Sequence, residues 1–247
     1  MSDINYLDGY IYHMVHFGNL RNIFHRRAIL SKDKMLQEKI PYHSLAYEEV
    51  QTLRDRIFVR VSLESRYRPL HSYVPFYFAT HTPMLHVQYR KGVQNEIIVL
   101  EVSRSLLKER GVLFTDGNAS NQQLAKHGRE QVIITPATVL DNACRRRYLP
   151  GGPYGTNQSC SDFYSDVSFL DHLDWDGINH IRRIDPLEEY LRVRHAEVLV
   201  PDLLPLGRVE GIYARMRDML QAVNTLIEES GLSGRIPSAV SKPGLYF

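Results

Sequence analysis

The chain has 247 residues, 43% of them hydrophobic, and 30 Lys+Arg against 28 Asp+Glu give a formal net charge of +2. This composition excludes a disordered or fibrous chain, and the length allows a core and an enclosed pocket without help from disulfides or a structural metal. No apolar run approaches the ~20 residues of a membrane span, and MSDINYLDGY has acids where a secretory signal has bases, so the chain reads as cytoplasmic, with Cys144 and Cys160 as incidental reduced thiols.

The absence of repeats and low-complexity linkers predicts a single domain over 1–247. The first regular segment, Tyr10–Phe17, alternates as a strand, with Ile11, His13, Val15 and Phe17 on one face. Gly18 and Asn19 end it, and Leu20, Ile23 and Phe24 have the spacing of a short amphipathic helix. The pattern loosens from Ser31 to Arg68, apart from a helix over Leu45–Arg54. Strands are predicted at Tyr73–Thr80, Glu96–Val102 and Val112–Thr115, all rich in aromatic or β-branched residues. Between the first two, Pro83 opens a short helix. A strand follows at Gln131–Thr135, then Arg145, Arg146 and Arg147, the densest basic cluster, which is most simply a solvated face but beside a Gly/Pro loop could also grip phosphates. A helical patch around 163–183, a strand over Arg194–Val200 and a last helix over Ile212–Glu228 complete the reading.

Taken singly, the polar candidates are weak. His13 on an apolar strand face is more often a core histidine than a catalytic one. Tyr77 has an equally plain core reading, and Arg54 a plain surface reading. Glu197 is harder to dismiss, because glutamate is depleted in strands and costly to bury without a partner. Nucleotide-binding glycine loops, a Walker loop, a serine elbow of the Gly-x-Ser-x-Gly type and the His-Glu-x-x-His zinc spacing are all missing from the sequence. A metal-independent site built on strands remains.

In order along the chain stand Tyr12-His13-x-x-His16-x-x-Asn19-Leu20, Ser44-x-Ala-Tyr47 leading to Arg54-x-Arg56, Leu70-His71-x-Tyr73-Val-Pro-Phe-Tyr-Phe78 with Pro83-Met84-Leu85, Phe114-Thr115-Asp116, and Ala196-Glu197-x-Leu199. This combination resembles the DarT family, the toxins of DarTG toxin–antitoxin systems. The resemblance implies an α+β, ADP-ribosyltransferase-like fold: central split β-sheets flanked by helices, with NAD⁺ as co-substrate in the cleft and no metal. It implies that His13, Asn19, Tyr47, Arg54 and Tyr77 bind NAD⁺ and that Glu197 and Arg54 are catalytic. A carboxylate suits that role because breaking the ribose–nicotinamide bond leaves positive charge on the sugar. The acceptor it implies is a thymidine base in single-stranded DNA, with Met84 in the base pocket, where a polarisable thioether tolerates a flat ring. The implied partner is a macrodomain antitoxin of DarG type.

The sequence departs from the pattern in two places. Gly117-Asn118 stands where the family often has histidine after Phe-Thr-Asp, and an insertion is expected at about 118–161. Asn118 and Arg145, Arg146 and Arg147 are therefore candidate acceptor contacts. RNA or protein acceptors and a non-catalytic nucleic-acid-binding relative are the alternatives, and Glu197 weighs against the last.

Overall fold

The computed structural model describes residues 5–61, 65–120, 130–133, 137–138, 161–179 and 193–247. In chain order the first half holds β1 (Tyr10–His16), α1 (Leu20–Arg26), β2 (Ala28–Leu30), α2 (Lys32–Gln37), α3 (Glu48–Arg54), β3 (Ile57–Arg60), β4 (Arg68–Pro69), β5 (Tyr73–Tyr77), α4 (Pro83–Arg90), β6 (Ile97–Ser103) and β7 (Leu113–Thr115). The second half holds β8 (Glu130–Ile133), β9 (Ala137–Thr138), β10 (Phe163–Tyr164), α5 (Trp175–Asn179), β11 (Glu197–Pro201), β12 (Leu203–Pro205), β13 (Val209–Ala214), α6 (Arg217–Glu229) and β14 (Ala239–Ser241).

Nine of these strands form one sheet in the order β14-β13-β6-β1-β5-β11-β7-β10-β9. β1 and β6 are covered on both faces, as near-continuous apolar strands must be. Ile11, Val15, Ile98, Leu100 and Val102 enter the main core, while Met14, Ile97 and Val99 enter a second cluster on the other side. Helices α1 and α6 close the main core with Leu20, Ile23 and Phe24 and with Val223, Leu226 and Ile227, the stripes that a 3.6-residue period puts on one helical face.

The seam between β1 and β5 positions the site. β1 pairs with β6 from Tyr10↔Ser103 to His16↔Ile97, but its register with β5 is the single bridge Tyr12↔Tyr77. The two strands splay beyond that bridge, and a cleft opens between them, lined by His13, Met14 and Val15 on one side and Pro75 and Tyr77 on the other. On the far side of β5, β11 pairs from Glu197↔Tyr77 to Pro201↔Tyr73.

Several boundaries differ from the sequence reading. Residues 209–214, the first of them ahead of the predicted last helix, form β13, and α6 begins only at Arg217. Ile212 matches the helical spacing of Met216, Met219 and Val223 by coincidence, while its pairing with Leu100 and Ala239 holds it in the sheet. The expected Tyr73–Thr80 strand stops at Tyr77, the 45–54 helix starts at Glu48, and the 194–200 strand starts at Glu197. Within 163–183 the described part is a two-residue strand, a 3-10 turn over Val167–His172 and α5. The loose 31–68 region contains α2, β3 and β4, too short to leave a periodic signal. Cys144, Cys160, Arg145, Arg146 and Arg147 lie outside the described residues.

Candidate active site

Glu197 opens β11 and is 1% exposed. Such burial of a carboxylate requires partners. Arg54, the last residue of α3 and 6% exposed, supplies Nη1 at 2.9 Å from Oε2 and 3.2 Å from Oε1. The Ala119 N–H donates to Oε1 at 3.0 Å. The Glu197 N–H in turn donates to Thr115 Oγ1 at 3.1 Å, and the Thr115 hydroxyl donates to the Gly117 carbonyl at 2.6 Å. The turn after β7 is thus folded around the glutamate.

Asn118 belongs to that turn. Its Oδ1 accepts from the Ser120 N–H at 2.9 Å and the Ser120 hydroxyl at 2.5 Å, and its carbonyl accepts from Ser161 Oγ at 2.9 Å. Asp116 Oδ1 fastens the same turn to the Asp162 N–H at 2.8 Å. Asn118 therefore shapes the loop that presents Ala119 to Glu197.

Tyr77 is the register partner of both Tyr12 and Glu197, which fixes its side chain on the glutamate's face of the sheet. Burial, followed by the neighbouring Glu197 charge, raises its hydroxyl pKa against the opposing effect of Arg54. Tyr77 remains a hydrogen-bond donor at neutral pH. His13 stands across the seam with Nδ1 2.9 Å from the Pro75 carbonyl. A carbonyl can only accept, so Nδ1 bears the proton and Nε2 offers a lone pair.

The outer wall of the cleft is the irregular segment Ile40–Ala46, held down by three side-chain amides. Asn22 Nδ2 donates to the Pro41 carbonyl at 3.1 Å, and Gln88 Nε2 to the Leu45 carbonyl at 2.7 Å. Asn19 holds both ends of His43, donating to its carbonyl at 2.9 Å and accepting from its N–H at 2.8 Å. The His43 ring stacks on His16 at 4.6 Å. Gly18 is needed beneath it, because a Cβ there would come 2.8 Å from His43 Cδ2.

The cleft lining thus brings together His13, Asn19, Arg54, Tyr77 and Met84, with Glu197 directly behind Arg54. Asn19 acts as a tether, with its amide engaged by His43. Tyr47 stands just past the lining segment, at the position before α3, with Lys91 Nζ 4.7 Å from its ring centre. Met84 sits in the first turn of α4, begun by Pro83 and capped by Thr82, whose Oγ1 accepts from the Leu85 N–H at 3.2 Å. Sequence reasoning missed Ala119, which acts through its backbone, and the cluster of His71, Lys32 and Asp55 under α3. There His71 Nε2 is 2.8 Å from Asp55 Oδ1 and 3.1 Å from Lys32 Nζ. Among the described residues no group of His, Cys, Asp and Glu is placed to hold a metal, and no helix is long and apolar enough to cross a membrane.

Burial lowers the pKa of five imidazoles, His13, His71, His81, His86 and His195. Burial lowers the pKa of His13 against its bond to Pro75, and pushes His195 down to about 4. For His71, burial is reinforced by Arg54 and Lys32, giving about 4. In the unfolded chain histidines take up protons near ~6.5, so the unfolded state binds more protons between that value and 4. Stability is expected to be fully present above pH ~6.5 and to decline as pH falls toward 4. Urea midpoints at pH 7 and pH 5 check this, and an unchanged midpoint would contradict it.

The sequence model of the family described as "ssDNA thymidine ADP-ribosyltransferase, DarT" matches residues 12–139 and 154–247. The two matched segments leave out 140–153, the stretch that contains Arg145, Arg146 and Arg147. A curated relative from Thermus sp. (strain 2.9), named DNA ADP-ribosyl transferase, is 28% identical over 209 residues, covering 82% of this chain and 79% of its own length. Two solved structures of Thermus sp. 2.9 DarT share the fold. The one in complex with ADP-ribosylated ssDNA has a TM-score of 0.71 at 22% identity and covers 97% of each chain. The one in complex with NAD⁺ has a TM-score of 0.68 at 21% identity, with 97% of this chain and 98% of that chain covered. With both halves of its sequence matched and the sheet, cleft and buried glutamate in one arrangement, this chain belongs to the DarT family of single-stranded-DNA thymidine ADP-ribosyltransferases.

Proposed function

We propose that the cleft binds NAD⁺ with its nicotinamide end toward Tyr77 and Arg54, and that Glu197 promotes transfer of the ADP-ribose to a thymine ring nitrogen of single-stranded DNA. The observation that supports this most is the buried Arg54–Glu197 pair at the inner wall of a cleft also lined by His13, Tyr77 and Met84. In the reaction the bond from ribose C1′ to nicotinamide breaks, and its electron pair leaves with the nicotinamide. Positive charge develops on the ribose, and the Glu197 carboxylate stabilises it as it forms. Glu197 already accepts three hydrogen bonds, but a carboxylate offers about four lone-pair sites, which leaves room for a ribose hydroxyl.

His13 contributes an acceptor to the ribose through Nε2. The thymine nitrogen loses its proton to water and forms the new bond to C1′, while the Arg54 guanidinium, already protonated, stabilises the anionic ring. Met84 packs on the base. Single-stranded DNA avoids the cost of unpairing a duplex. Asn19 acts through the outer wall, holding Ile40–Ala46 over the dinucleotide by way of His43, and Tyr47 extends that wall at the start of α3. Asn19→Ala removes two tethers, each worth roughly 0.5–1.5 kcal/mol. The KM for NAD⁺ is expected to rise on the order of tenfold, with kcat little changed; an unaltered KM would remove Asn19 from this role.

Arg145, Arg146 and Arg147 are assigned to the DNA backbone. Replacing all three by alanine should lower the slope of log affinity against log salt by roughly 2, at about 0.7 per single-strand phosphate contact; an unchanged slope rejects the assignment. In the cell the enzyme acts as the toxin of a toxin–antitoxin pair, countered by a macrodomain antitoxin of DarG type. Labelled NAD⁺ offered with separate DNA, RNA and protein pools, followed by mass spectrometry of the modified nucleoside, tests the whole reading. ADP-ribosylated thymidine from single-stranded DNA is the expected product. Label only in RNA or protein would overturn the acceptor assignment.

A further inference from the structure

Helix α4 begins inside the cleft and ends outside it. Met84 in its first turn lines the cleft, whereas Tyr89 at its other end is 47% exposed. A large apolar ring this open is notable in a chain whose other rings are mostly packed, and it does not stand alone. The Phe247 ring lies 6.1 Å from Tyr89 at an interplanar angle of 36°, and 5.2 Å from His86. Phe247 is held in place from behind: its N–H donates to Gln94 Oε1 and its carbonyl accepts from Gln94 Nε2, both at 2.9 Å. Gln94 itself is 2% exposed. The partly open rings therefore rest on a rigid support.

Arg90 and Lys91 follow Tyr89 directly, and both are exposed. Partly exposed rings on a fixed base, with cations beside them and a cleft residue one helix length away, have the chemistry that engages a single-stranded nucleic acid. Bases stack on the rings and the backbone phosphates meet the cations.

We propose that Tyr89, supported by His86 and Phe247, is a stacking platform for a nucleotide flanking the acceptor base, with Arg90 and Lys91 holding the adjoining phosphates. The occupant follows from continuity: a strand whose acceptor base reaches Met84 passes along α4 as it leaves the cleft. The inference rests on the single-stranded-DNA reading of the site. It adds a second contact, outside the reaction centre, that distinguishes a long oligonucleotide from a minimal one.

The test uses the full chain and single-stranded oligonucleotides that share one acceptor thymidine. In Tyr89→Ala, the KM for a 12-mer is expected to rise about 5- to 100-fold, the range that loss of one base–aromatic stack gives. kcat and the release of nicotinamide without DNA stay unchanged, and Tyr89→Phe restores the KM. Oligonucleotides with one abasic residue at successive flanking positions locate the contact: one position should raise the wild-type KM and have no further effect in Tyr89→Ala. An unchanged KM, a Tyr89→Phe variant as weak as Tyr89→Ala, or equal sensitivity of both proteins to every abasic site overturns the platform. Failure of the underlying reading looks different, because Glu197→Gln would then leave transfer to the same oligonucleotides intact.

Discussion

Glu197→Gln is expected to lower kcat for ADP-ribose transfer on the order of 10²- to 10³-fold, with the fold retained. The magnitude is that of removing one preorganised electrostatic contact to a charge that develops in the transition state. Glutamine is the informative replacement because it is nearly isosteric. Its amide oxygen can still accept from the Ala119 N–H and from Arg54, contacts that Glu197 Oε1 makes at 3.0 and 3.2 Å. The bonds to Oε1 thus survive, while the negative charge and the bond from Arg54 Nη1 to Oε2 disappear, so Tm falls although the fold is kept. Alanine removes the bonds to Oε1 as well, so activity and cell toxicity should be abolished together, but with a confounding loss of packing. Single-turnover transfer to a thymidine-containing oligonucleotide, measured beside a thermal melt, separates the two effects. Glu197→Gln with wild-type kcat would end the assignment of Glu197 as the catalytic carboxylate.

Arg54→Ala is expected to be the most destabilising change at the site. The pair has side-chain exposures of 8% and 2%, and removing one member of a buried pair leaves the other charged and without its counter-ion. Such losses are about 3–5 kcal/mol, which for a chain of this size lowers Tm by about 10 °C. The control is the double variant Arg54→Met, Glu197→Gln, in which no uncompensated charge remains. It should recover most of the lost stability while staying inactive. If Arg54→Ala melts with the wild type, the buried pair is not a stabilising unit of the fold. Arg54→Lys probes the chemistry instead: an ammonium keeps the charge but loses the planar guanidinium, so stability should return further than activity.

How much of this was legible beforehand depended on whether a feature is local. Strand alternation in 10–16, the Leu20, Ile23 and Phe24 stripe, the β-branched run of 97–103 and the Thr82-Pro83 helix start are written in residues that touch near neighbours in sequence, and the structure has all of them. The predicted last helix takes in the end of β13 because Ile212 satisfies a helical period as well as a strand, and what settles it is pairing with β6 and β14. Short elements such as α2 and β4 lack the length for any period to show.

The site divides in the same way. Residue types and their order along the chain named His13, Arg54, Tyr77, Met84 and Glu197, because motif spacing is a property of the sequence. The tertiary structure decided where each one stands and what it touches. A single-pair seam between β1 and β5 opens the cleft, and a separation of 143 residues closes between Arg54 and Glu197. It also turned Asn19 into a tether for His43 and made Asn118 a brace for the Ala119 N–H. Those roles rest on backbone groups, and every residue has the same backbone groups. A sequence can therefore name the glutamate, but only the folded chain shows which N–H and which guanidinium make it tolerable to bury.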